Sequence, residues 1–244
     1  MTNQDEVSHG EGTRPAPVPR RSHLFTWGVV GLTAELLFTI GWVVAETWQG
    51  PGYSPTTDTI SDMQASTAPH VWFPIACFAL GGLGTFGFAV FGLRPALAGA
   101  GRTARFAPGM LAIAALAVGN SYPLIPCQLA NPGCTASVQL NRAGGLTDAI
   151  GSGIGFFVLV ITPFFLFRRL SLVPEWRRIK PVMTAAGVIG SACYLLLAVS
   201  SSMPSMPAIG LIERLMVTTC VVWIGVLAYK LIIESRRPAT SHPS

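Results

Sequence analysis

The sequence predicts an all-α membrane protein, a bundle of six transmembrane helices. Half of its 244 residues are hydrophobic and only 11% are charged, whereas about a quarter of an ordinary soluble domain is charged. A helix needs roughly 20 mostly apolar residues to cross a bilayer. Six segments meet or approach that length, at residues 25–47, 71–93, 107–126, 146–167, 181–200 and 207–233. We therefore expect one transmembrane domain over residues 25–233.

The two ends of the chain are predicted to be disordered cytoplasmic tails. Residues 1–24 and 234–244 are polar and contain no apolar run, so they cannot bury enough surface to fold alone. The first apolar segment is longer than the apolar part of a signal peptide, and no small-residue cleavage site follows it. It is expected to be a retained signal anchor.

The third apolar segment has the weakest pattern. Asn120 and Tyr122 interrupt it, and Pro123 and Pro126 are expected to end it, although its first half is rich in Ala and Gly. Elsewhere, small residues four positions apart predict close helix packing, as in other membrane bundles. These pairs are Gly81 and Thr85, Gly151 and Gly155, and Gly187 and Ser191.

The basic residues predict the orientation of the bundle. Of the 16 Lys and Arg residues, all but Arg142 and Arg214 lie in the tails, near the chain ends, or in the connections after the second and fourth segments. Such an excess marks the cytoplasmic side of a membrane protein. Arginine outnumbers lysine by 14 to 2, which favours a GC-rich bacterial source. We therefore expect a bacterial plasma-membrane protein with both termini in the cytoplasm. This distribution also explains the net charge of +5 without a nucleic-acid partner.

The cysteines fall into two groups. Cys127 and Cys134 lie in a loop that the charge distribution places outside the cell, where disulfides persist, so we expect them to be joined. Cys77, Cys193 and Cys220 fall within apolar segments and are interpreted as packing residues.

Glu35 is the outstanding polar residue within a span. It lies about 15 Å along the first helix, near the middle of the membrane, where an ionisable group is a functional-site hypothesis by default. Helical spacing places it on one stripe with Gly31, Thr39, Trp42 and Glu46, so this stripe is predicted to face the interior. Several interpretations remain open. Glu35 is a buried protonated glutamate, a glutamate hydrogen-bonded to the backbone or to a neighbouring hydroxyl, a proton or ion site, or the base of a polar pocket.

Arg214 is the second unusual charge, because it lies in the outer half of the sixth span. An arginine keeps its charge when buried, and adjacent Glu213 points away from it. We expect a partner from another element, with Asp62 or Asp148 favoured over Glu35; other acids expected nearby are Glu46 and Asp58. The alternative is that Arg214 binds an external anion.

The first outer loop supplies further candidates. It contains turn-forming residues and the acids Asp58 and Asp62 but no Lys or Arg. Ser61 and Gln64 have the spacing of a capping box, which predicts a short helix beginning at Asp62. Asp148, in the first turn of the fourth span, suits a helix N-terminus. The candidate ligand-binding residues are Glu35, Asp58, Ser61, Asp62, Asp148, Glu213 and Arg214.

Several enzyme classes find no support in the sequence. The four histidines are too scattered for a His-rich metal site, so no metal or other cofactor is expected. A triad of Ser61, His70 and Asp62 has suitable residue types, but no nucleophile elbow accompanies it.

The motifs of the chain resemble those of the bacterial DUF998 family. They are Tyr53-Ser54-Pro55 through Ile60-Ser61-Asp62-Met63, Pro126-Cys127 with Gly133-Cys134, and Ile212-Glu213-Arg214. The family is distantly similar to the six-helix Frag/DRAM/Sfk membrane proteins, some of which are tied to lipid handling. The resemblance covers roughly residues 25–235 and implies fold and location but no reaction. Where family members often carry a histidine at the start of span four, this chain has Leu146-Thr147-Asp148, which argues against a histidine-dependent role.

Three functions remain open. The first is a non-enzymatic binding or sensor-like module with an outward-facing pocket for a small or lipidic ligand. The second is a lipid-modifying enzyme that uses Asp62, Asp148 or Glu35 as acid or base, and the third is a proton-linked transporter centred on Glu35. They predict, respectively, a shallow outer pocket, a catalytic cluster open to lipid, and a polar path that reaches both faces. Membrane lipids are the expected surroundings, and the sequence leaves the oligomeric state open.

Overall fold

The computed structural model describes residues 21–98, 106–119, 125–170, 174–200 and 208–236, and all the regular elements in these ranges are helices. The described residues form the helices α1 (Arg21–Glu46), α2 (Trp72–Ala96, π-helical over Phe88–Leu93), α3 (Phe106–Gly119), α4 (Ala136–Leu140), α5 (Ala143–Leu170), α6 (Lys180–Ser200) and α7 (Ile209–Arg236). Two 3-10 turns cover Ser61–Gln64 and Pro174–Ile179. The predicted all-α class is confirmed. The first and last helices extend past the predicted domain bounds of 25 and 233.

Five of the described helices are long and apolar enough to cross a membrane. They are α1, α2, α5, α7 and α6 together with the 3-10 turn before it. The third predicted span, 107–126, differs: α3 has 14 residues, or about 21 Å. Residues 120–124 lie outside the described part, and Ile125 and Pro126 are not helical.

The helices form a closed ring in chain order. Each of α1, α2, α3, α5, α6 and α7 packs against the next, and α7 packs against α1. Small residues bring the helices together, because an added Cβ at Gly81 would lie 3.0 Å from Ala34 O and one at Gly155 only 2.8 Å from Val118 Cγ2. Likewise, a Cβ at Gly187 would lie 2.8 Å from Phe164 Cζ. The predicted small-residue packing is confirmed at these positions.

The two ends of the bundle have different interiors. We call the end where α1 begins and α7 ends the termini face, and the end that carries residues 47–71 and 125–142 the loop face. Large apolar side chains fill the half nearer the termini face; Phe88, Leu93, Leu111, Leu166, Leu170, Met183, Leu227 and Leu231 are fully buried there. Many other large apolar side chains are exposed on the outside of the helices. This is the pattern of a polytopic helical membrane protein.

Candidate functional site: a polar chamber beneath the loop face

Arg214 joins the first loop to α1 and α7. Its residue is only 8% exposed. Its guanidinium donates to Glu46 Oε2 through Nε (3.2 Å), to the Tyr53 hydroxyl through Nη2 (2.5 Å), and through Nη1 to the carbonyl oxygens of Pro55 (2.7 Å), Asp58 (2.9 Å) and Gly210 (3.0 Å). We call these six residues the Arg214 cluster. Because protein acceptors surround the guanidinium, the cluster is structural and does not suit an external anion.

The prediction of a buried, paired Arg214 is confirmed, but the favoured partners were wrong. Neither Asp62, Asp148 nor Glu35 forms the pair; the partner is Glu46, the last residue of α1. The reason is the path of the first loop, which carries Asp62 past Arg214 to the Cys127–Cys134 loop. Glu213 accepts the Ile60 N–H instead, so the adjacent acid is not the partner, as expected.

Gly210 permits the close approach of the loop to α7. Its backbone N–H donates to Thr56 O at 3.0 Å, and the Leu211 N–H donates to the same oxygen at 3.2 Å. A Cβ at position 210 would lie 2.3 Å from Asp58 O and 2.6 Å from Pro55 O. Only glycine fits there, because both obstacles are backbone atoms.

Asp58 and Tyr53 also hold the loop. Asp58 Oδ2 accepts a 2.6 Å hydrogen bond from the Ser54 N–H, which closes a local turn. Burial raises the pKa of the Tyr53 hydroxyl to about 12, against the opposing effect of Arg214. Tyr53 therefore stays neutral at physiological pH. Asp58 is one of the predicted ligand-binding residues, and in the structure its carboxylate accepts the Ser54 N–H within the loop.

Asp62 connects the two loops of the loop face. Its Oδ1 accepts from Leu129 N (3.4 Å) and Gln139 Nε2 (3.1 Å), and its Oδ2 accepts from the N–H (3.3 Å) and hydroxyl (3.0 Å) of Thr59. Burial raises the pKa of the Asp62 carboxyl, and the hydrogen bonds from Gln139 and Thr59 oppose that rise. Asp62 therefore stabilises the loop contact.

The predicted short helix exists as the 3-10 turn Ser61–Gln64, but the predicted capping box does not. Ile60 precedes the turn and makes no side-chain cap, while the Ser61 hydroxyl lies 3.0 Å from the Thr59 hydroxyl. The predicted disulfide between Cys127 and Cys134 is present, with Cα atoms 6.0 Å apart.

A small cavity lies beneath this turn. Its polar lining consists of Ser61, Gln64, Asp148, Ser152 and Glu213. Gln64 is 3% exposed, and its Oε1 has no hydrogen-bond partner among the described residues. Glu213 Oε2 accepts the Ile60 N–H at 2.6 Å. We call this space the upper cavity.

A second small cavity continues toward the middle of the bundle. Its polar lining includes Glu35, Thr85 and Cys220. The predicted burial of Glu35 is confirmed. Of the structural alternatives, the structure contains the bond to a neighbouring hydroxyl, because the Thr85 hydroxyl donates to Glu35 Oε1 at 2.7 Å. We call this space the lower cavity.

The two cavities are adjacent, and we call them together the chamber. They share four lining residues, Phe38, Val118, Phe156 and Val217, and each has room for only a few water molecules in this conformation. On the termini side, Phe88 is fully buried and contacts Gly31, one helical turn from Glu35. The chamber therefore ends against the apolar core.

The described residues do not assemble the triad of Ser61, His70 and Asp62. His70 is exposed and its ring packs edge-on against Trp48, while the oxygens of Asp62 are engaged by Thr59, Leu129 and Gln139. Ser61, His70 and Asp62 thus do not form a triad. Among the described residues, no group of three or more His, Cys, Asp or Glu side chains is arranged to hold a metal ion.

The structure separates the predicted site residues into two groups. Glu35, Ser61, Asp148 and Glu213 line the chamber, while Asp58, Asp62 and Arg214 hold the loops. Sequence reasoning missed Gln64, Thr85 and Ser152 as lining residues. Gln64 matched the pattern of a capping box, and Thr85 matched the pattern of small-residue packing, so each already had a structural explanation. Ser152 belongs to no sequence pattern that would mark it as a lining residue.

The fold and this site define the chain as a polytopic helical membrane protein with a polar interior chamber. Residues 32–230 match the model of the family described as "Protein of unknown function (DUF998)", and the chain belongs to that family. The resemblance noted from the motifs is thereby confirmed. No curated protein and no solved structure matches the chain.

Proposed function

We propose that this protein is a non-enzymatic binding or sensor-like module that takes a small or lipidic ligand into the chamber from the loop face. The observation that carries the proposal is the one-sided chamber. Polar side chains line the upper cavity at Gln64 and the lower cavity at Glu35, and beyond Glu35 the interior is filled by Phe88, Leu93 and Leu227. A blind chamber suits binding better than passage across the membrane.

We propose that the protein lies in the bacterial plasma membrane with its loop face outside the cell. The bases described on the termini face are Arg21, Arg94, Arg168, Arg177, Arg178, Lys180, Lys230 and Arg236, and the positive-inside rule assigns such a face to the cytoplasm. The Cys127–Cys134 disulfide on the loop face supports an oxidising exterior. Lipids would surround the exposed apolar faces of the helices.

The binding proposal is tested by ligand-induced stabilisation of the purified protein in nanodiscs. A ligand present at 100 times its Kd stabilises a protein by about 2.7 kcal/mol, which raises the Tm of a chain of this size by about 5–10 °C. The panel contains small polar and lipidic compounds. We expect at least one of them to produce such a shift.

Two substitutions at Ser152 provide the control. Ser152→Leu places a larger side chain in the upper cavity, whereas Ser152→Ala removes only the hydroxyl, which bonds within its own helix to Asp148 O at 2.6 Å. The Leu variant should fold but lose the ligand response, and the Ala variant should keep it. No response from any compound, or an equal response in the Leu variant, would overturn the proposal.

The alternatives give different results in the same preparation. Proton flux into liposomes above the empty-liposome rate, lost in Glu35→Gln, would indicate a transporter instead. Consumption of a lipid during incubation, lost in Asp148→Asn, would indicate an enzyme.

A further inference from the structure

A buried acceptor that lines the chamber has no partner among the described residues, and two acids of the same cavity offer further acceptor oxygens. Gln64 Oε1 is buried and unbonded among the described residues. Asp148 is half-buried, and no described residue donates a side-chain or backbone hydrogen bond to its carboxylate. Glu213 uses Oε2 for the Ile60 N–H, which leaves Oε1 as a further acceptor. Buried acceptors of this kind are costly unless a donor reaches them.

The chamber has no base to neutralise these acids. The described lining of both cavities contains no Lys, Arg or His, and Arg214 is engaged in its own cluster. The described acids are also too dispersed to hold a metal ion together. A ligand with a positive charge and several N–H donors complements these acceptors, whereas a single multidentate metal centre does not.

The walls of the chamber are aromatic. Phe38 and Phe156 line both cavities, and Phe78 lines the upper one. Aromatic faces attract ammonium groups through the ring quadrupole, most strongly where water is excluded. The same rings contact an apolar tail favourably.

We propose that the ligand of the chamber carries a protonated amine, with its ammonium group beside Gln64 and Asp148 and its apolar part along Phe38 and Phe156. This inference rests on the proposed binding function and names the ligand class. The ammonium belongs either to a small free amine or to the head group of an aminolipid. Because the cavities are small here, a primary ammonium fits better than a bulky one.

The test compares matched ligands by calorimetric titration of the full chain in phosphatidylglycerol nanodiscs, which contain no ammonium. The ligands are propylammonium, propanol and propionate. We expect binding of propylammonium alone. Asp148→Asn should lower its affinity by about tenfold or more, the usual effect of losing a charged hydrogen bond, and Gln64→Leu should lower it as well. Glu175→Gln makes the same chemical change at an exposed acid on the termini face and should bind like the wild type.

A second arm distinguishes the source of the ammonium. The Tm of each variant is measured in phosphatidylethanolamine and phosphatidylglycerol nanodiscs without free amine. A higher Tm in phosphatidylethanolamine that Asp148→Asn abolishes assigns the site to an aminolipid; equal Tm values, with binding of propylammonium, assign it to a free amine.

The failures are separable. Tighter binding of propanol or propionate than of propylammonium would overturn the amine inference and leave the binding function intact. Equal propylammonium affinity in wild type and Asp148→Asn would also overturn it. Both proposals fail if three results occur together: none of the three ligands binds, phosphatidylethanolamine does not raise the Tm, and no compound of the wider panel raises the Tm.

Discussion

Arg214 Nε lies 3.2 Å from Glu46 Oε2, and this ion pair joins α7 to the end of α1 across the loop face. The Arg214 side chain is 10% exposed and that of Glu46 is 26% exposed. Solvent therefore partly screens the pair. Most of the stabilisation that Arg214 contributes comes from its hydrogen bonds to the loop carbonyls of Pro55 and Asp58.

Arg214→Ala is expected to lower the free energy of unfolding by about 3 kcal/mol, because it leaves Glu46 and three carbonyl oxygens without their donor. Glu46→Gln should cost only about 1 kcal/mol, since solvent partly screens this pair and the glutamine amide can still accept a hydrogen bond. A double-mutant cycle measured by thermal unfolding in detergent should show coupling between Arg214 and Glu46. Additive effects for this pair, with coupling between Arg214 and Asp62 instead, would contradict the assignment.

Gly210→Ala is expected to destabilise the protein by about 1–3 kcal/mol or more, because overpacking against a fixed backbone is costly. Gly225→Ala is the matched control in the same helix, where the nearest atom to an added Cβ is Leu32 Cδ2 at 3.9 Å. There, alanine should be neutral or should stabilise by up to about 1 kcal/mol through helix propensity. Similar Tm values for the two variants would show that the loop does not approach α7 as described.

Removing the disulfide with Cys127→Ser and Cys134→Ser is expected to lower the free energy of unfolding by roughly 2–3 kcal/mol. The reason is that the disulfide restricts the unfolded chain, and for so short a loop this effect is modest. The Gln139 amide bridges Cys127 O and Asp62 Oδ1, so the variant should also loosen the first loop and raise its amide hydrogen exchange. Unchanged exchange around Asp62 would show that the two loops are independent.

The Asp62 carboxyl gives the protein a defined pH dependence. Its pKa is raised in the folded state from the ordinary value of 3.8, so the folded state binds the proton more tightly than the unfolded state does. The stability that this group contributes is fully present below pH 3.8 and is lost as the pH rises through the folded pKa. The Tm of the wild type minus that of Asp62→Asn should therefore fall from pH 4 to pH 7. A difference that grows with pH would mean that the hydrogen bonds lower the pKa of Asp62 more than burial raises it.

The sequence predicted features that depend on residue type and spacing. Apolar length located the helices, helical spacing placed Glu35 in the interior, and the local Cys127 and Cys134 pairing followed from their position. The partner of Arg214 could not be predicted, because it depends on the path of the first loop, and three of its acceptors are backbone carbonyls that carry no residue signature.

The chamber was harder to predict for a similar reason. Gln64 and Asp148 are far apart in the chain, and each has an ordinary explanation at a helix end. They meet only because the fold places the 3-10 turn, α5 and α7 around one cavity. The described length of α3 also differs from the apolar segment, because hydropathy does not report where a helix ends.

The one-sided chamber is tested most directly by labelling Cys220, a native thiol that lines the lower cavity beside Glu35. Cys77 and Cys193 are replaced by alanine, and the aminoethyl and sulfonatoethyl methanethiosulfonate reagents are applied to one face of oriented liposomes, with a scavenging thiol on the other. The account predicts that Cys220 reacts with the aminoethyl reagent from the loop face, faster than with the sulfonate, and that Ser152→Leu slows the reaction. Equal or faster labelling from the termini face would contradict a chamber that ends at Phe88.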